Sequence, residues 1–399
     1  MSGTYKLAVL STHPIQYHSP WFRGMAAHPD LDVHVYFCHK ATPQEQARAG
    51  FGVEFDWDID LLAGYPHSFL RNVANPAGHG RFGGFDTPEI RKIIREGRYH
   101  AVLVNGWNYK SAWQAIWAGW RSDVKVLARG DSHLRTARSA VTRAAKWMGY
   151  RRFIPRFDAC LAVGQWSREY FLHYGARPER IFAVPHVVDL DSTTDDTGAI
   201  RERFRQSLGM NRESVTFIFC GKFIAKKRPM DFVRAVTNIA KAGAEVQGLM
   251  VGDGPLRNAC EQFVVETRGP VRFAGFLNQS KIQEAYLASD VLVLPSDGGE
   301  TWGLVVNEAM SCGLPCIVSD QVGCGPDMIR SWKSGAIYPV ADAEALATLM
   351  TQFASNRERL AHMGKIARLV AQEYSIERAV QGVIESLQAT VGMETTCAN

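Results

Sequence analysis

The sequence contains no hydrophobic run of the roughly 18 residues that a membrane-spanning helix needs. It also lacks a strong excess of charge of one sign, because 45 Lys and Arg residues are balanced by 40 Asp and Glu residues. The formal net charge of +5 does not indicate a nucleic-acid partner. The first residues, MSGTYKLAVLSTHP, turn polar after one short strand-like segment, so we expect no signal peptide.

Paired cysteine motifs are missing as well. The eight cysteines are scattered, mostly within hydrophobic segments such as FIFCG and PCIVS. Cys312 and Cys316 are separated by three residues and have no second pair, which argues against a structural zinc site. This usage is typical of reduced, buried thiols in a cytoplasmic protein.

Short hydrophobic segments alternate with helical patterns along the whole chain. The strand-like segments of the first half are KLAVLS, LDVHVYF, HAVLVNG, VKVLARG, DACLAVG and IFAVP. After the polar stretch PHVVDLDSTTDDTGAI a second series follows: VTFIFCG, VQGLMVG, VRFAG, DVLVLPS, PCIVS and GAIYPV. Such alternation predicts parallel sheets covered by helices on both faces. We therefore expect an α/β protein of two doubly wound, Rossmann-like domains facing each other across a cleft.

The length of 399 residues also suits two domains. We place the first at residues 1–188 and the second at 189–374. The chain ends in helical patterns, and we expect a C-terminal helix within 375–399 to cross back to the first domain. In open parallel sheets, ligands bind at the carboxyl ends of the strands, which directs attention to the loops there.

The stretch ETWGLVVNEAM follows a strand and a glycine-rich turn and contains Glu300 and Glu308. We expect a helix from about Trp302 or Gly303, whose free first-turn amides form an anion site. Glu308, about two turns in, could accept hydrogen bonds from a vicinal diol, while Glu300 in the loop could reach other hydroxyls. A diphosphate between ribose and a second sugar describes a nucleotide sugar. Taken alone, the stretch is more typical of an ordinary amphipathic helix with an acidic N-terminus.

Neighbouring loops favour the ligand-binding interpretation. Lys222 and Lys227 in CGKFIAKKRP follow the first strand of the second domain, where two cations could offset the charge of a departing diphosphate. A solvated basic loop is the alternative. Gly252 lies in a strand-to-helix turn, and the backbone of Gly275–Leu277 could bind a base edge at a further strand end.

This order of elements resembles the retaining glycosyltransferases of family 4, which have the two-domain GT-B fold. The resemblance is carried by GKFIAKKRP, VGDGPL, FAGFL, ASDVLVLPS, ETWGLVVNEAMSCGLPCIVSD and SGAIYPVADAEALA. The family signature is Glu, seven residues, Glu, and a small-residue segment ending in Gly-x-Pro. Glu300, Glu308, Gly313 and Pro315 match it.

The resemblance implies roles for these positions. Glu300, Lys222 and Lys227 become the catalytic candidates, with Glu300 at the donor sugar and the lysines at the diphosphate. It implies donor-binding roles for a larger set: Glu308 at the ribose, then Gly303, Leu304, Val305, Gly275, Phe276, Leu277 and Gly252. It also implies that a UDP- or GDP-sugar is the co-substrate and that the site needs no divalent metal. The pair Asp58 and Asp60 is therefore interpreted as structural.

The first domain departs from the family pattern. Many relatives have a glycine-rich loop after the first strand, where this chain has STHPIQYHSPWFRGMA, with Ser19 expected as helix cap and Pro20 at the first helical position. Relatives often carry a histidine where this chain has Arg129 or Gly130. The acceptor-side candidates are His13, Gln16, Tyr17, His18, Arg129, Asp131 and His133, although polar surface is an alternative for the histidines. His186 is interpreted as a structural residue near the linker.

Residues 132–157 contain seven Lys or Arg residues and no acid. Leu134, Val141 and Met148 recur at a spacing that predicts one helical face, with basic residues around it. Such a helix can bind an anionic lipid surface, which predicts peripheral contact with the inner membrane face, or it can be a solvated face over a core.

Together these features predict a retaining, metal-independent glycosyltransferase that moves a sugar from a nucleotide sugar to an acceptor hydroxyl. The acceptor could be a glycan, a lipid-linked molecule or a small molecule. A sugar-nucleotide epimerase or hydrolase and a solute-binding module are the alternatives. A dinucleotide-dependent dehydrogenase is disfavoured, because GHGRFG at 78–83 follows no predicted strand.

Overall fold

The computed structural model describes residues 4–47, 52–136, 138–189 and 196–392. The chain divides into two compact units. The N-terminal unit consists of the described parts of Met1–Ala41, Asp60–Val187 and Ser375–Asn399. The C-terminal unit consists of Val188–Tyr374 together with a segment from the first half of the chain, the described part of Thr42–Ile59. No pattern in the sequence indicated that this early segment belongs to the C-terminal unit.

The N-terminal unit is built on a parallel sheet. Its strands are β1 (Tyr5–Ser11), β2 (Leu31–Phe37), β3 (His67–Phe69), β4 (Ala101–Asn105), β5 (Lys125–Gly130), β6 (Ala159–Ala162) and β7 (Ile181–Ala183). They are arranged in the order β3-β2-β1-β4-β5-β6-β7. The central strands β1 and β4 are buried on both faces, as the fully buried Val9 on one face and Val102 on the other show, which explains their continuous hydrophobic sequences. All predicted strands of this half are present, and β3 is a three-residue edge strand that was not predicted.

Helices cover this sheet. They are α1 (Ser19–Ala27), α3 (Ile90–Glu96), α4 (Lys110–Arg121), α5 (Ala140–Phe153), α6 (Gln165–His173) and the C-terminal α15 (Ile376–Val391). The short α2 (Pro43–Gln46) belongs to the segment that joins the C-terminal unit.

The predicted return of the C-terminal helix is confirmed. Helix α15 packs against α1 and β7, and its Val383 and Leu387 are fully buried in the same core as Trp21. Gly382 is needed for this approach, since a Cβ there would lie 2.0 Å from the carbonyl oxygen of Ala183. Burial of one apolar face therefore holds the end of the chain on the N-terminal unit.

The C-terminal unit repeats the architecture with a parallel sheet of six strands. These are β8 (Val215–Cys220), β9 (Val246–Val251), β10 (Val271–Gly275), β11 (Val291–Leu294), β12 (Cys316–Ser319) and β13 (Gly335–Tyr338), in the order β10-β9-β8-β11-β12-β13. All six were predicted. The helices are α7 (Thr197–Ser207), α8 (Pro229–Lys241), α9 (Arg257–Thr267), α10 (Gln279–Leu287), α11 (Leu304–Ser311), α12 (Gly325–Met328), α13 (Ala343–Ala354) and α14 (Arg357–Gln372).

Among the described residues, none of the helices combines the length and the hydrophobicity that crossing a membrane requires.

Candidate functional site

Each sheet has one point at which the order of its strands reverses. In the C-terminal unit β9 and β10 lie on one side of β8, and the chain then continues on the other side at β11. Ligands of such sheets bind beyond the carboxyl ends of the two strands at this point. The loop after β8 carries Lys222 and Lys227, and the segment after β11 carries Glu300 and Glu308. The topology therefore brings the predicted lysines and glutamates to one edge of one sheet.

Lys227 and Glu300 form an ion pair at this edge. Only 13% of the Lys227 side chain and 11% of the Glu300 side chain are exposed, and the Ser296 hydroxyl donates to the same carboxylate at 3.2 Å. Because both side chains are largely shielded from water, their charges interact strongly, and burying either charge without its partner would be unfavourable. The pair therefore holds the Glu300 carboxylate in one orientation and keeps a cation at the end of β8.

Lys222 is the second cation of the predicted pair and is half-buried. Burial, followed by the nearby charges of Lys226 and Lys227, lowers its pKa to about 8. An ammonium group crowded by other cations is stabilised by an anion, because the anion offsets both the lost hydration and the repulsion. The electrostatics of this loop thus favour a bound anion.

Helix α11 begins at Leu304, with Gly303 at its N-cap. Gly303 has φ of 100°, and a Cβ there would lie 3.0 Å from the Leu294 side chain, so glycine is needed at this turn. Gly303 has no side chain that could cap the helix, and the amides of Leu304 and Val305 have no intrahelical acceptors. Glu308 is the fifth residue of the helix, little more than one turn in, whereas two turns were predicted.

The Glu308 carboxyl group is held by α10. Tyr286 Oη donates to Glu308 Oε2 at 2.6 Å, and the Gln279 side chain also hydrogen-bonds the carboxyl group. Burial raises the pKa of Glu308 to about 7, while these two hydrogen bonds act in the opposite direction. The group is therefore poised near neutral pH between a neutral acid and a carboxylate that accepts hydrogen bonds.

The glycine-containing turns support this edge of the sheet through close packing. Gly252 has φ of 122°, and a Cβ there would lie 2.0 Å from the Gly221 carbonyl oxygen. Its amide donates to the Gly275 carbonyl oxygen at 2.8 Å, which joins the loops after β8, β9 and β10. Next to Gly275, the ring of Phe276 lies 4.3 Å from that of Phe55, a contact that the sequence analysis missed.

The N-terminal unit has a cavity of about 200 Å³ at its own reversal point, between β1 and β4. Four predicted acceptor-side residues line it: Tyr17, His18, Arg129 and Asp131. His13, Gln16 and His133 do not line it. His133 is buried against Trp166, with ring centroids 5.4 Å apart.

Arg129 organises this cavity. Its guanidinium group donates to the carbonyl oxygens of Val184 at 3.3 Å and Pro185 at 3.0 Å, and to Asn105 Oδ1 at 3.3 Å. Burial, followed by the charge of Arg129, holds the pKa of both His18 and His186 well below the usual range. Two neutral imidazoles, stacked with centroids 6.2 Å apart, thus face a polar cavity.

Two lining residues that contact Arg129 were not predicted as site residues. His186 was interpreted as structural, and Asn105 was overlooked although a polar residue at the end of a buried strand was the available signal. The predicted cap of α1 was also wrong: His18 is at the N-cap and Pro20 is the second helical residue. Ser19 is the first, and its hydroxyl donates to the Ile15 carbonyl oxygen at 3.2 Å. A short turn before the helix therefore takes the hydroxyl that would otherwise cap it.

Two Rossmann-like units in one chain are the architecture of the GT-B class of protein, and comparisons with known proteins agree. The model for "Glycosyltransferase Family 4" matches residues 22–192, and that for "Glycosyl transferases group 1" matches 200–370. The chain therefore belongs to the family 4 glycosyltransferases and is a nucleotide-sugar-dependent glycosyltransferase.

Relatives extend over most of the chain. A D-inositol 3-phosphate glycosyltransferase from Rhodococcus opacus is 29% identical, over 97% of this chain and 91% of that protein. A GDP-mannose-dependent alpha-(1-6)-phosphatidylinositol dimannoside mannosyltransferase from Mycobacterium tuberculosis is 27% identical over 62% of both. The crystal structure of Anabaena HepE in complex with UDP has a TM-score of 0.73 at 17% identity, covering 96% of this chain and 100% of that one. The last likeness concerns the fold alone.

Proposed function

We propose that this protein is a retaining glycosyltransferase that moves a sugar from a UDP- or GDP-sugar to an acceptor hydroxyl without a divalent metal. The observation that carries the proposal is the ion pair of Lys227 with Glu300, which lies in the loop that leads to Gly303 at the N-terminus of α11. Lys222, Lys227 and the first amides of α11 are the groups that stabilise negative charge on the departing diphosphate.

The remaining groups hold the rings on either side of the diphosphate. Ionised Glu308 accepts hydrogen bonds from the two ribose hydroxyls, and Glu300, oriented by Lys227, accepts from the donor sugar. The backbones of Gly303 to Val305 and of Gly275 to Leu277 contact the diphosphate and the base. Among the described residues, no group of three or more His, Cys, Asp or Glu side chains is placed to hold a metal ion.

We place the acceptor in the cavity of the N-terminal unit. Its lining of neutral imidazoles, Tyr17 and Asn105 offers hydrogen-bond donors and acceptors suited to hydroxyl groups. The lowered pKa of His18 and of His186 makes both imidazoles weak bases, and burial raises the pKa of Tyr17 to about 12, so that its hydroxyl stays protonated. This agrees with a reaction in which the acceptor hydroxyl attacks the face of the donor sugar from which the diphosphate leaves. The departing diphosphate takes up the proton of that hydroxyl.

The test is a bisubstrate reaction followed by NMR of the product. A thermal-shift screen with UDP, GDP and ADP identifies the nucleotide, and the matching sugar nucleotides are then incubated with polyol, glycan and lipid acceptors. We expect a product whose new linkage has the anomeric configuration of the donor. An inverted linkage contradicts the retaining mechanism, and turnover of the donor alone to an epimer or free sugar would assign the protein to the competing class.

We further propose that the protein is cytoplasmic and that α5 contacts an anionic inner membrane face. Only Phe153 of α5 is buried, and the exposed fractions of Val141 and Met148 are 80% and 54%. The opposite face holds the helix, because Lys146 lies 5.0 Å from the ring of Tyr150 and Phe153 stacks on Trp113. Leu134, predicted on the same helical face, lies in a turn before α5, although it too is exposed.

Vesicle flotation measures this contact. We expect the protein to float with vesicles containing phosphatidylglycerol and not with neutral ones, since basic residues near an anionic surface gain about 1 kcal/mol each. Replacing Val141 and Met148 by Ser, or Arg151 and Arg152 by Ala, should abolish flotation. The control replaces two exposed lysines of the C-terminal unit, Lys241 and Lys365, by Ala. This control removes as much positive charge as the double arginine variant and should leave flotation intact. Equal flotation of all variants would refute the proposal.

A further inference from the structure

An extended piece of the first half of the chain lies on the C-terminal unit. Along residues 52–59, hereafter the 52–59 segment, half-buried and exposed residues alternate. A period of two is typical of extended backbone with one face covered. The half-buried positions are all hydrophobic and the exposed ones after Gly52 are all acidic: Val53, Phe55, Trp57 and Ile59 against Glu54, Asp56 and Asp58.

The segment lies on two loops at the edge of the sheet that carries the proposed donor site. A Cβ on Gly52 would be 3.2 Å from the Gly254 amide nitrogen, so this glycine packs directly on the turn after β9. Phe55 contacts Phe276 in the loop after β10. The loop after β10 carries backbone groups proposed to bind the base, and the contact with Phe55 therefore restricts the movement of that loop.

The same segment also holds the first turn of α10. Asn278 Nδ2 donates to the Asp56 carbonyl oxygen at 2.7 Å. The amide of Ser280 donates to Asp58 Oδ1 at 3.2 Å, and the Ser280 hydroxyl donates to the same carboxylate. Ser280 is the second residue of the helix, so Asp58 accepts from one of the amides that lack an intrahelical partner. A residue more than two hundred positions away thus acts as an additional cap.

Helix α10 transmits this restraint to Glu308. Its first residue, Gln279, and its eighth, Tyr286, are the two side chains that hydrogen-bond the Glu308 carboxyl group. Gln279 is adjacent to both Asn278 and Ser280, the residues that bind the segment. A continuous set of contacts therefore runs from Asp58 through the start of α10 to Glu308.

We propose that the 52–59 segment positions the nucleoside-binding half of the donor site, with Asp58 and Phe55 as its positioning residues. The inference rests on the proposed function of the same site. Asp58 orients Gln279 through the first turn of α10, and Phe55 fixes the loop after β10 through Phe276. Neither residue touches the reacting atoms.

This role has a consequence for the ionisation of Glu308. The groups facing its carboxyl are Gln279 and Tyr286 from α10, Cys220 at the end of β8 and Cys312 after α11. Of these, Gln279 alone lies in the turn that Asp58 caps. Loss of its hydrogen bond removes one of the two interactions that oppose the effect of burial, so the Glu308 carboxylate becomes harder to form. Nucleotide affinity should then reach its plateau at higher pH.

Calorimetric titration with UDP and GDP over about two pH units around neutrality tests this proposal. We expect Asp58→Ala and Phe55→Ala to weaken binding of the preferred nucleotide by about tenfold, the size of a lost helix cap, and Asp58→Ala to move the midpoint of the pH dependence upward. Asp58→Asn retains an acceptor and should restore most of the affinity. Glu54→Ala removes the same charge from an exposed position whose carboxylate binds Gln44 at 3.0 Å, and it should behave like the unaltered protein.

The outcomes separate the two proposals. Unchanged affinity and midpoint in Asp58→Ala and Phe55→Ala, in a protein that binds the nucleotide, overturn this inference alone. Failure of the unaltered protein to bind either nucleotide overturns the proposed function and this inference with it. Hydrogen exchange on the unaltered protein gives a reading that does not depend on any variant folding. Nucleotide should slow exchange both in Gln279–Leu287 and in residues 52–59, and protection of the helix without the segment would also refute the proposal.

Discussion

Replacing Lys227 by Ala should lower the rate of sugar transfer at saturating donor by about two to three orders of magnitude, the usual effect of removing a charge-stabilising group from an enclosed site. The substitution takes away a cation at the leaving diphosphate. It also leaves the Glu300 carboxylate, 11% exposed, without its ionic partner. Release of UDP or GDP in the presence of the acceptor measures the rate.

Controls separate the specific role of Lys227 from the charge of the loop. Lys226 is exposed and donates to the Gly299 carbonyl oxygen at 3.1 Å, so Lys226→Ala should reduce the rate far less. Glu300→Gln should also lower turnover. The double variant should be less impaired than the product of the two single effects, because each single change leaves the other charge buried alone. Normal turnover in Lys227→Ala would contradict the proposed site.

The second large effect concerns Glu308. The pKa of Glu308 is raised to about 7, so below that pH its carboxyl group is mostly neutral. The neutral acid lacks the two charged oxygens with which the carboxylate accepts hydrogen bonds from both ribose hydroxyls. Donor affinity should therefore rise as the pH increases through about 7, level off above it, and be accompanied by proton release near neutral pH. Glu308→Gln should weaken UDP or GDP binding by about 10- to 100-fold at high pH, as expected for lost hydrogen bonds to a charged group, and abolish the pH dependence.

Calorimetry in buffers of different ionisation enthalpy measures both the affinity and the released proton. Glu284, on the same α10 helix and paired with Lys281 at 2.8 Å, provides the matched control Glu284→Gln. The same pKa shift has a consequence for stability. The folded protein binds this proton more tightly than the unfolded chain does. The free energy of unfolding should therefore fall as the pH rises towards 7, and bound nucleotide should reduce that loss. A pH-independent affinity in the unaltered protein would contradict the role of Glu308.

Local sequence patterns predicted much of the fold. Runs such as VTFIFCG and HAVLVNG are hydrophobic on both strand faces because parallel strands are buried on both, and they are strands in the structure. The edge strand β3 escaped prediction because its three residues, the half-buried His67 and Ser68 and the exposed Phe69, are too few to show a period. The acid-rich alternation of residues 53–58 was readable as an extended face, but no local signal indicated which surface it covers.

The candidate site, too, could be predicted only in part from local sequence patterns. The positions of Lys222, Lys227, Glu300 and Glu308 after strands could be predicted because parallel strands end at one edge of their sheet. Which cation pairs with which acid could not, and the structure shows Lys227 with Glu300 while α10 holds Glu308. In the N-terminal unit, Tyr17 and His18 line the cavity, whereas His13 and Gln16, equally near in sequence, do not.

By itself, the sequence determined the two Rossmann-like sheets and the family signature, because hydrophobic period and strand-end position are local properties of the chain. Only the tertiary structure decided the Lys227–Glu300 pair, the raised pKa of Glu308 and the capping of α10 by Asp58. These features depend on burial and on contacts between residues that lie 22 to 222 positions apart in the sequence. Such contacts form only when the chain packs.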